Sequence, residues 1–354
     1  MQYDEQNKDQ QTKDQQNSQS LNLQDIRQQI DSVDEQIHHL INQRAKLAET
    51  VAKAKFSQDE NPVFYRPERE AQVLRNIMAR NQGPLSNETV ARLFREIMSA
   101  CLALEAPQSI AFLGPEGTYT QAAAIKHFGQ DAITRPITTI EEVFREVESG
   151  SAHYGVVPVE NSSEGIVNHT LDCFKASKLH VIGEVELPIH HQFLISHNTR
   201  KDSIKQIYAH QQALAQCRKW LDVNYPGVER IALNSNAEAA RRIRNEWHSA
   251  ANTTRFLVIG REKSSRSGHD KTSLLIAAHD KAGALIEILA PIAKHNLTMT
   301  SIETRPSLPE KWTYVFFIDL KGHIEDEGVR QAIEEIRPHV KELRVLGSYP
   351  LAVL

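Results

Sequence analysis

The 354-residue sequence is short of cysteine, of net charge and of long apolar runs. Its three cysteines, Cys101, Cys173 and Cys217, lie far apart and form no CxxC pair. That argues against a disulfide framework and against a thiolate metal site. Lys plus Arg (41) nearly balance Asp plus Glu (45), leaving a net charge of −4, so no nucleic acid is expected as partner. No apolar run approaches the ~20 residues of a membrane span. The first residues lack the basic-then-apolar layout of a secretion signal, and the expected setting is the cytoplasm, away from membranes. What is present is 40% apolar and 24% charged residues, enough for sizeable cores. The length suggests two or three domains at ~150 residues each.

The texture divides the chain. Residues 1–20 are rich in Gln with almost no apolar side chain, and are expected to be a disordered tail because they cannot offset their ordering entropy. From Leu23 to Phe56 there is no Gly or Pro and apolar residues recur at helical spacing. After Asn61-Pro62 a second helix is expected over Glu68–Arg80, and after Gly83-Pro84 a third, capped by Asn87 and reaching Glu105. Residues 21–106 thus read as an all-α module. Over 107–262, short β-rich runs alternate with helical ones, including Tyr154–Val159, His180–Val185, Gln192–Ser196 and Arg255–Ile259, the α/β pattern. Arg261–Asp270 reads as a charged linker. Residues 271–354 read βαββαβ, an α+β ferredoxin-like order.

In the first helix a heptad frame places Ile26, Val33, Leu40, Leu47 and Ala54 at one seam position and Ile30, Ile37, Arg44 and Val51 at the other. A helix of this length runs roughly 50 Å, and a helical dimer is the natural cover for its stripe. Arg44 interrupts that stripe, where an unpaired cation is costly. Lys55, eleven residues on, falls about 20° around the helix and shares its face. Arg27 points about 100° away and serves the same pocket only from a second chain. Two cations on an apolar face suit an anion, with the Arg fork suited to a carboxylate. A register-setting polar residue with its own acidic partner, or a snorkelling side chain, satisfies the same pattern.

The series Ile26-Arg27, Asp34, Arg44, Lys53-Ala54-Lys55 and Pro67-Glu68-Arg69-Glu70 resembles the all-helical class of chorismate mutase. The resemblance implies that Arg27 (from the other subunit) and Arg44 hold the two substrate carboxylates. Lys55 would meet the ether oxygen, and Arg69 and Glu70 would orient the ring and its hydroxyl. A Claisen rearrangement needs a compact conformer and positive charge at the ether oxygen rather than a nucleophile. The chain departs from some relatives at Phe64-Tyr65-Arg66, which offers no acid, and at Cys101 and Glu105, where they have Ser and Gln. Glu105 then stands where a donor to the ether oxygen is wanted, a role a carboxyl fills only while protonated.

In the middle module, Gly114-Pro115-Glu116-Gly117-Thr118 follows a strand and opens a helix, and Val159-Glu160-Asn161-Ser162 ends another strand. Such turns are ready ligand sites at the edge of an α/β sheet, and ordinary capping explains either one singly. With Asn252-Thr253-Thr254-Arg255-Phe256 they resemble prephenate dehydratase. That family implies two lobes like a periplasmic binding protein with the active site between them. Thr254 would assist expulsion of the ring hydroxyl, with Thr118, Asn161, Ser162, His210, Gln212 and Arg255 lining the cleft. His190 and His191 are kept outside the catalytic set. Two departures bear on activity: Ala209 replaces a Ser, and Trp247–Ala251 runs straight into Asn252, where relatives carry a further helix and strand.

Gly283-Ala284-Leu285 and Glu303-Thr304-Arg305-Pro306 resemble the effector motifs of the ACT domain of prephenate dehydratases, which implies phenylalanine bound at a dimer interface. The order of the three modules resembles the bifunctional chorismate mutase/prephenate dehydratase family. Expected partners are therefore chorismate, prephenate, L-phenylalanine as inhibitor and a second copy of the chain, with no metal or other cofactor. Two alternatives remain open at this point: a mutase whose dehydratase is impaired by the shortened segment, and a non-catalytic amino-acid sensor.

Overall fold

A computed structural model of the chain describes residues 23–60, 62–161, 165–195, 200, 203–233, 239, 249–306 and 314–353. The expected tail over 1–20 and Ser162 lie outside the described residues. Helix α1 spans Leu23–Phe56, α2 Pro67–Arg80 and α3 Asn87–Glu105. Pro67 stands in the first turn of α2, where its missing N–H and fixed φ suit a helix start. The cap of α3 corrects the sequence reading. Ser86 holds that position, its Oγ accepting from the Thr89 N–H at 3.2 Å, and Asn87 is already helical. Of the 34 residues of α1 only Ala48 and Ala52 are buried. Its heptad stripe is open, with Leu40 60% and Leu47 61% exposed.

The α/β region follows as β1 (Ser109–Leu113), α4 (Tyr119–Phe128), β2 (Ile133–Ile137), α5 (Ile140–Glu148), β3 (Tyr154–Asn161), β4 (Gly165–Ile166) and α6 (Asn168–Ala176). Next come β5 (His180–Gln192), β6 (Gln206–His210), α7 (Gln211–Gln216), α8 (Arg218–Asn224), β7 (Glu229–Leu233) and β8 (Ser249–Gly260). The expected strand over Gln192–Ser196 is absent as such: β5 runs on to Gln192 and residues 193–195 leave the sheet. The main sheet has the order β2-β1-β3-β8-β5, with β2, β1 and β3 parallel and β8 antiparallel to both neighbours. Its faces are closed by Phe112, Val143, Phe144, Val156, Phe174, Phe256 and Val258. Parallel strands bring their C-terminal ends to one edge, which gathers the turn after Leu113 and the end of β3 at Asn161. Strands β5 and β8 remain paired from His180↔Gly260 to Gln192↔Ser249, whereas β3 meets β8 only from Thr254 onward. The pair therefore extends beyond the sheet. Among the described residues the second lobe holds one parallel pair, β6 and β7, with α7 and α8.

The remainder is β9 (Asp270–Ala278), α9 (Ala284–Lys294), β10 (Met299–Pro306), β11 (Tyr314–Lys321), α10 (Glu327–Ile336) and β12 (Val340–Pro350), an antiparallel sheet ordered β10-β11-β9-β12. The stretch over 261–270 is more than a linker. Asp270 is buried and accepts from the Ser267 hydroxyl at 2.6 Å and from the Ser267 and Gly268 amides at 2.9 Å. Strand β12 docks on β5, where the bare Gly347 backbone fits against the Val181 peptide.

Candidate active sites

The spacing of α1 carries Arg44 and Lys55 to one face, and α3 brings Glu105 against them. Lys55 Nζ lies 3.7 Å from Glu105 Oε2. It also donates to the Val63 and Phe64 carbonyls at 3.3 and 3.4 Å and sits 4.8 Å from the Phe64 ring centre. The stretch 63–65 thus contributes carbonyls and a ring where an acid is missing. Burial holds the Glu105 carboxyl above its ordinary value, against the opposing pull of Lys55 and Arg44. Arg44 is half-buried, and Cys101 is buried on α3. Arg27 is exposed and lies roughly 25 Å along the same helix from Arg44 at 1.5 Å per residue.

Two further expected members lie on α2. Arg69 is exposed. Glu70 turns to the other side of α2 and pairs with Arg95 of α3 at 3.3 Å. Together they line a cavity of about 30 Å3 with Tyr65, His127 and Val353, which lies between the helical module and the main sheet. Burial raises the Glu70 carboxyl despite Arg95. The Tyr65 hydroxyl is 2.8 Å from His127 Nε2, and burial lowers the His127 pKa to about 3. This is packing between modules, and Glu70 is not part of the Arg44–Lys55–Glu105 group.

At the sheet edge, Asn161 Nδ2 donates to Thr254 Oγ1 at 2.8 Å, and Asn161 Oδ1 accepts from Gln216 Nε2 at 3.1 Å. Asn161 and Thr254 are both buried and face each other in the β3–β8 register. Gln216, from the second lobe, was not singled out from the sequence; its only signal there was a place six residues beyond His210. Tyr119 of α4 lies near Cys217, which adds to burial in raising the Tyr119 phenol, so the lobes meet here. Thr118 is half-buried and caps α4: its hydroxyl donates to the Leu113 carbonyl at 3.1 Å and accepts from Gln121 N–H. His210 is half-buried at the end of β6. The side chains of Gln212, His190 and His191 lie outside the described residues.

Arg255 is a correction. Neighbouring residues of a strand face opposite ways, so with Thr254 turned to the cleft Arg255 turns away from it. It meets Glu160 at 3.2 Å, Glu184 at 3.5 Å and Asp319 of β11 at 3.1 Å. These carboxylates hold its guanidinium well above the ordinary Arg value against the cost of burial.

Matches to three family models tile the chain in order: chorismate mutase type II over residues 26–106, prephenate dehydratase over 110–251 and the ACT domain over 272–338. The bifunctional chorismate mutase/prephenate dehydratase of Pseudomonas aeruginosa is 52% identical over 356 residues, covering 93% of this chain and 98% of the relative. The chain belongs to the bifunctional chorismate mutase/prephenate dehydratase family. The Escherichia coli member is 32% identical over 377 residues, covering 92% of this chain and 95% of its own. Both matches run over more positions than this chain contributes, in keeping with segments it lacks. A prephenate dehydratase from Arthrobacter aurescens, in complex with L-Phe, superposes with a TM-score of 0.62 at 31% identity, over 68% of this chain and 90% of that one.

The two C-terminal segments expected to bind an effector, 283–285 and 303–306, stand apart in one chain. Gly283 caps α9 with a φ of 82°, and with Ala284 and Leu285 it lines a cavity of about 360 Å3 beside His279 and Tyr314. On β10, Arg305 forks onto Asp172 of α6 at 2.6 and 3.2 Å, and the Pro306 carbonyl accepts from Lys175 at 3.3 Å. Thr304 is exposed, while Glu303 turns towards Arg255 and Asp319. Among the described residues, Gly283, Ala284 and Leu285 line one cavity and Glu303 lines another.

Proposed function

We propose that this chain rearranges chorismate to prephenate at the Arg44–Lys55–Glu105 group, converts prephenate to phenylpyruvate at Thr254, and is inhibited by L-phenylalanine through its C-terminal domain. In the first reaction Arg44 binds one carboxylate of chorismate and Arg27 of the partner subunit the other, which holds the compact conformer. Lys55, and Glu105 while protonated, donate to the ether oxygen as it gains charge. The uncovered stripe of α1 supports a homodimer that supplies the second Arg27.

The observation that carries the second reaction is the hydrogen-bond series Gln216–Asn161–Thr254. Because Asn161 Oδ1 accepts from Gln216, its NH2 faces Thr254 and occupies a lone pair of Oγ1. The Thr254 hydrogen is then directed away from Asn161, free to point at the departing ring hydroxyl. As the ring carboxylate leaves as carbon dioxide, its bonding pair completes the aromatic ring and the C–O bond breaks. The departing hydroxide becomes water on taking a proton from solvent. Thr254 stabilises the developing charge by donation rather than by acting as a strong acid.

The test is purified chain supplied with chorismate, with prephenate and phenylpyruvate followed in time. Sequential appearance of both products supports the reading. Accumulating prephenate alone would instead favour an impaired dehydratase, for which Ala209 and the shortened segment before Asn252 speak.

A further inference from the structure

The hydrogen-bonded pair at the cleft has a charged reverse side. Asn161 and Thr254 oppose each other in β3 and β8, and their neighbours Glu160 and Arg255 oppose each other next in register. One strand pair therefore presents a hydrogen bond to the cleft and an ion pair to the C-terminal domain. Arg255 lies among three carboxylates, Glu160 and Glu184 from the dehydratase sheet and Asp319 from β11. Glu184 is also held by Lys271 of β9 at 2.6 Å. Asp319 accepts from the Ser273 hydroxyl at 2.6 Å through its other oxygen, and Ser273 lies 2.8 Å from the Tyr349 hydroxyl. A guanidinium shared in this way cannot follow Asp319 without changing its grip on Glu160, one residue from Asn161.

The effector-bearing strand opens onto the same place. Ser301 pairs with Asp319 across β10 and β11, and Ser301, Glu303, Arg255 and Asp319 line one small cavity between the two sheets. Any shift of β10 that accompanies ligand binding therefore reaches Asp319 within one strand pairing.

We propose that Arg255 is a positioning residue for the dehydratase, and that the Asp319–Arg255 ion pair carries the state of the effector strand to the Asn161–Thr254 hydrogen bond. Phenylalanine then inhibits by displacing Thr254, with the cleft itself left unobstructed. This rests on the dehydratase and phenylalanine readings above.

The test uses the full chain with Asp319→Asn, measuring prephenate turnover with and without saturating phenylalanine and phenylalanine binding by calorimetry. Turnover without phenylalanine is expected to stay within about threefold of the unaltered chain, and phenylalanine still binds, but inhibition falls to less than about half. Arg255→Lys, which keeps the charge and loses the fork, is expected to lower kcat about tenfold with little change in KM. Inhibition of Asp319→Asn as complete as in the unaltered chain overturns the relay. So does loss of phenylalanine binding, which would place Asp319 in the effector site itself. Should Asp319→Asn fail to fold by circular dichroism, Ser273→Ala decides in its place: weakened inhibition with binding retained supports the relay, and unchanged inhibition overturns it. If the unaltered chain turns over prephenate but ignores phenylalanine, the effector reading falls, and the relay with it.

Discussion

Glu105 is the residue whose protonation the mutase chemistry exposes most directly. Its carboxyl is raised by burial, and only the protonated form donates, so activity is present below its pKa and is lost as pH rises through it. The expected outcome is a mutase kcat/KM that declines between about pH 5 and pH 8, and a Glu105→Gln variant whose profile is flat there. A flat profile for the unaltered chain would exclude the role. At the cleft, Thr254→Val removes the acceptor of the Asn161 amide and the proposed donor to the leaving hydroxyl. Dehydratase kcat should fall on the order of a hundredfold or more, with chorismate consumption unchanged. The sequence placed Thr254 and Asn161 at one site through motif likeness. It misplaced Arg255, although strand alternation alone says that Thr254 and Arg255 cannot both face the cleft. Glu70 was misplaced for a different reason. The face of α2 it occupies is set by Arg95, 25 positions later in the chain, a pairing no local pattern reveals.

Among the elements, the three mutase helices were legible because breakers, caps and period agree over long runs; α1 spans Leu23–Phe56 as its Gly- and Pro-free run implies. Strand ends were less so. β5 and β8 support each other over their full common length, and that mutual pairing is a long-range fact absent from either segment's own pattern. The stripe on α1 is an element-scale prediction. Covering Leu40 in a second copy buries apolar surface at about 25 cal/mol per Å2, so Leu40→Lys should shift the chain from dimer to monomer in light scattering. It should also remove mutase activity while prephenate conversion persists. A mutase-active Leu40→Lys monomer would contradict assembly of the site from two chains. Where β12 crosses β5, Gly347 is needed for space. A methyl there overlaps the Val181 carbonyl, and Gly347→Ala should cost about 1–3 kcal/mol in thermal unfolding as the backbones separate.

Over the whole molecule, the two proposed chemistries occupy different modules and draw on different charges. Arg44, Lys55 and Glu105 belong to α1 and α3, and Gln216, Asn161 and Thr254 to the two lobes. Between them lies a junction of Tyr65, Glu70, Arg95 and His127 that packs one module on the other. The order of modules was readable from changes in texture at Pro107 and after Gly260. Their docking was not, because it rests on contacts such as Arg255–Asp319 and Arg305–Asp172 between positions far apart in sequence. Separate sites imply separable losses. The most direct measurement is Arg44→Ala in the full chain, assayed once with chorismate and once with added prephenate. Prephenate formation is expected to disappear while added prephenate is still converted to phenylpyruvate at the rate of the unaltered chain. Chorismate turnover that survives the substitution would contradict a mutase site at Arg44.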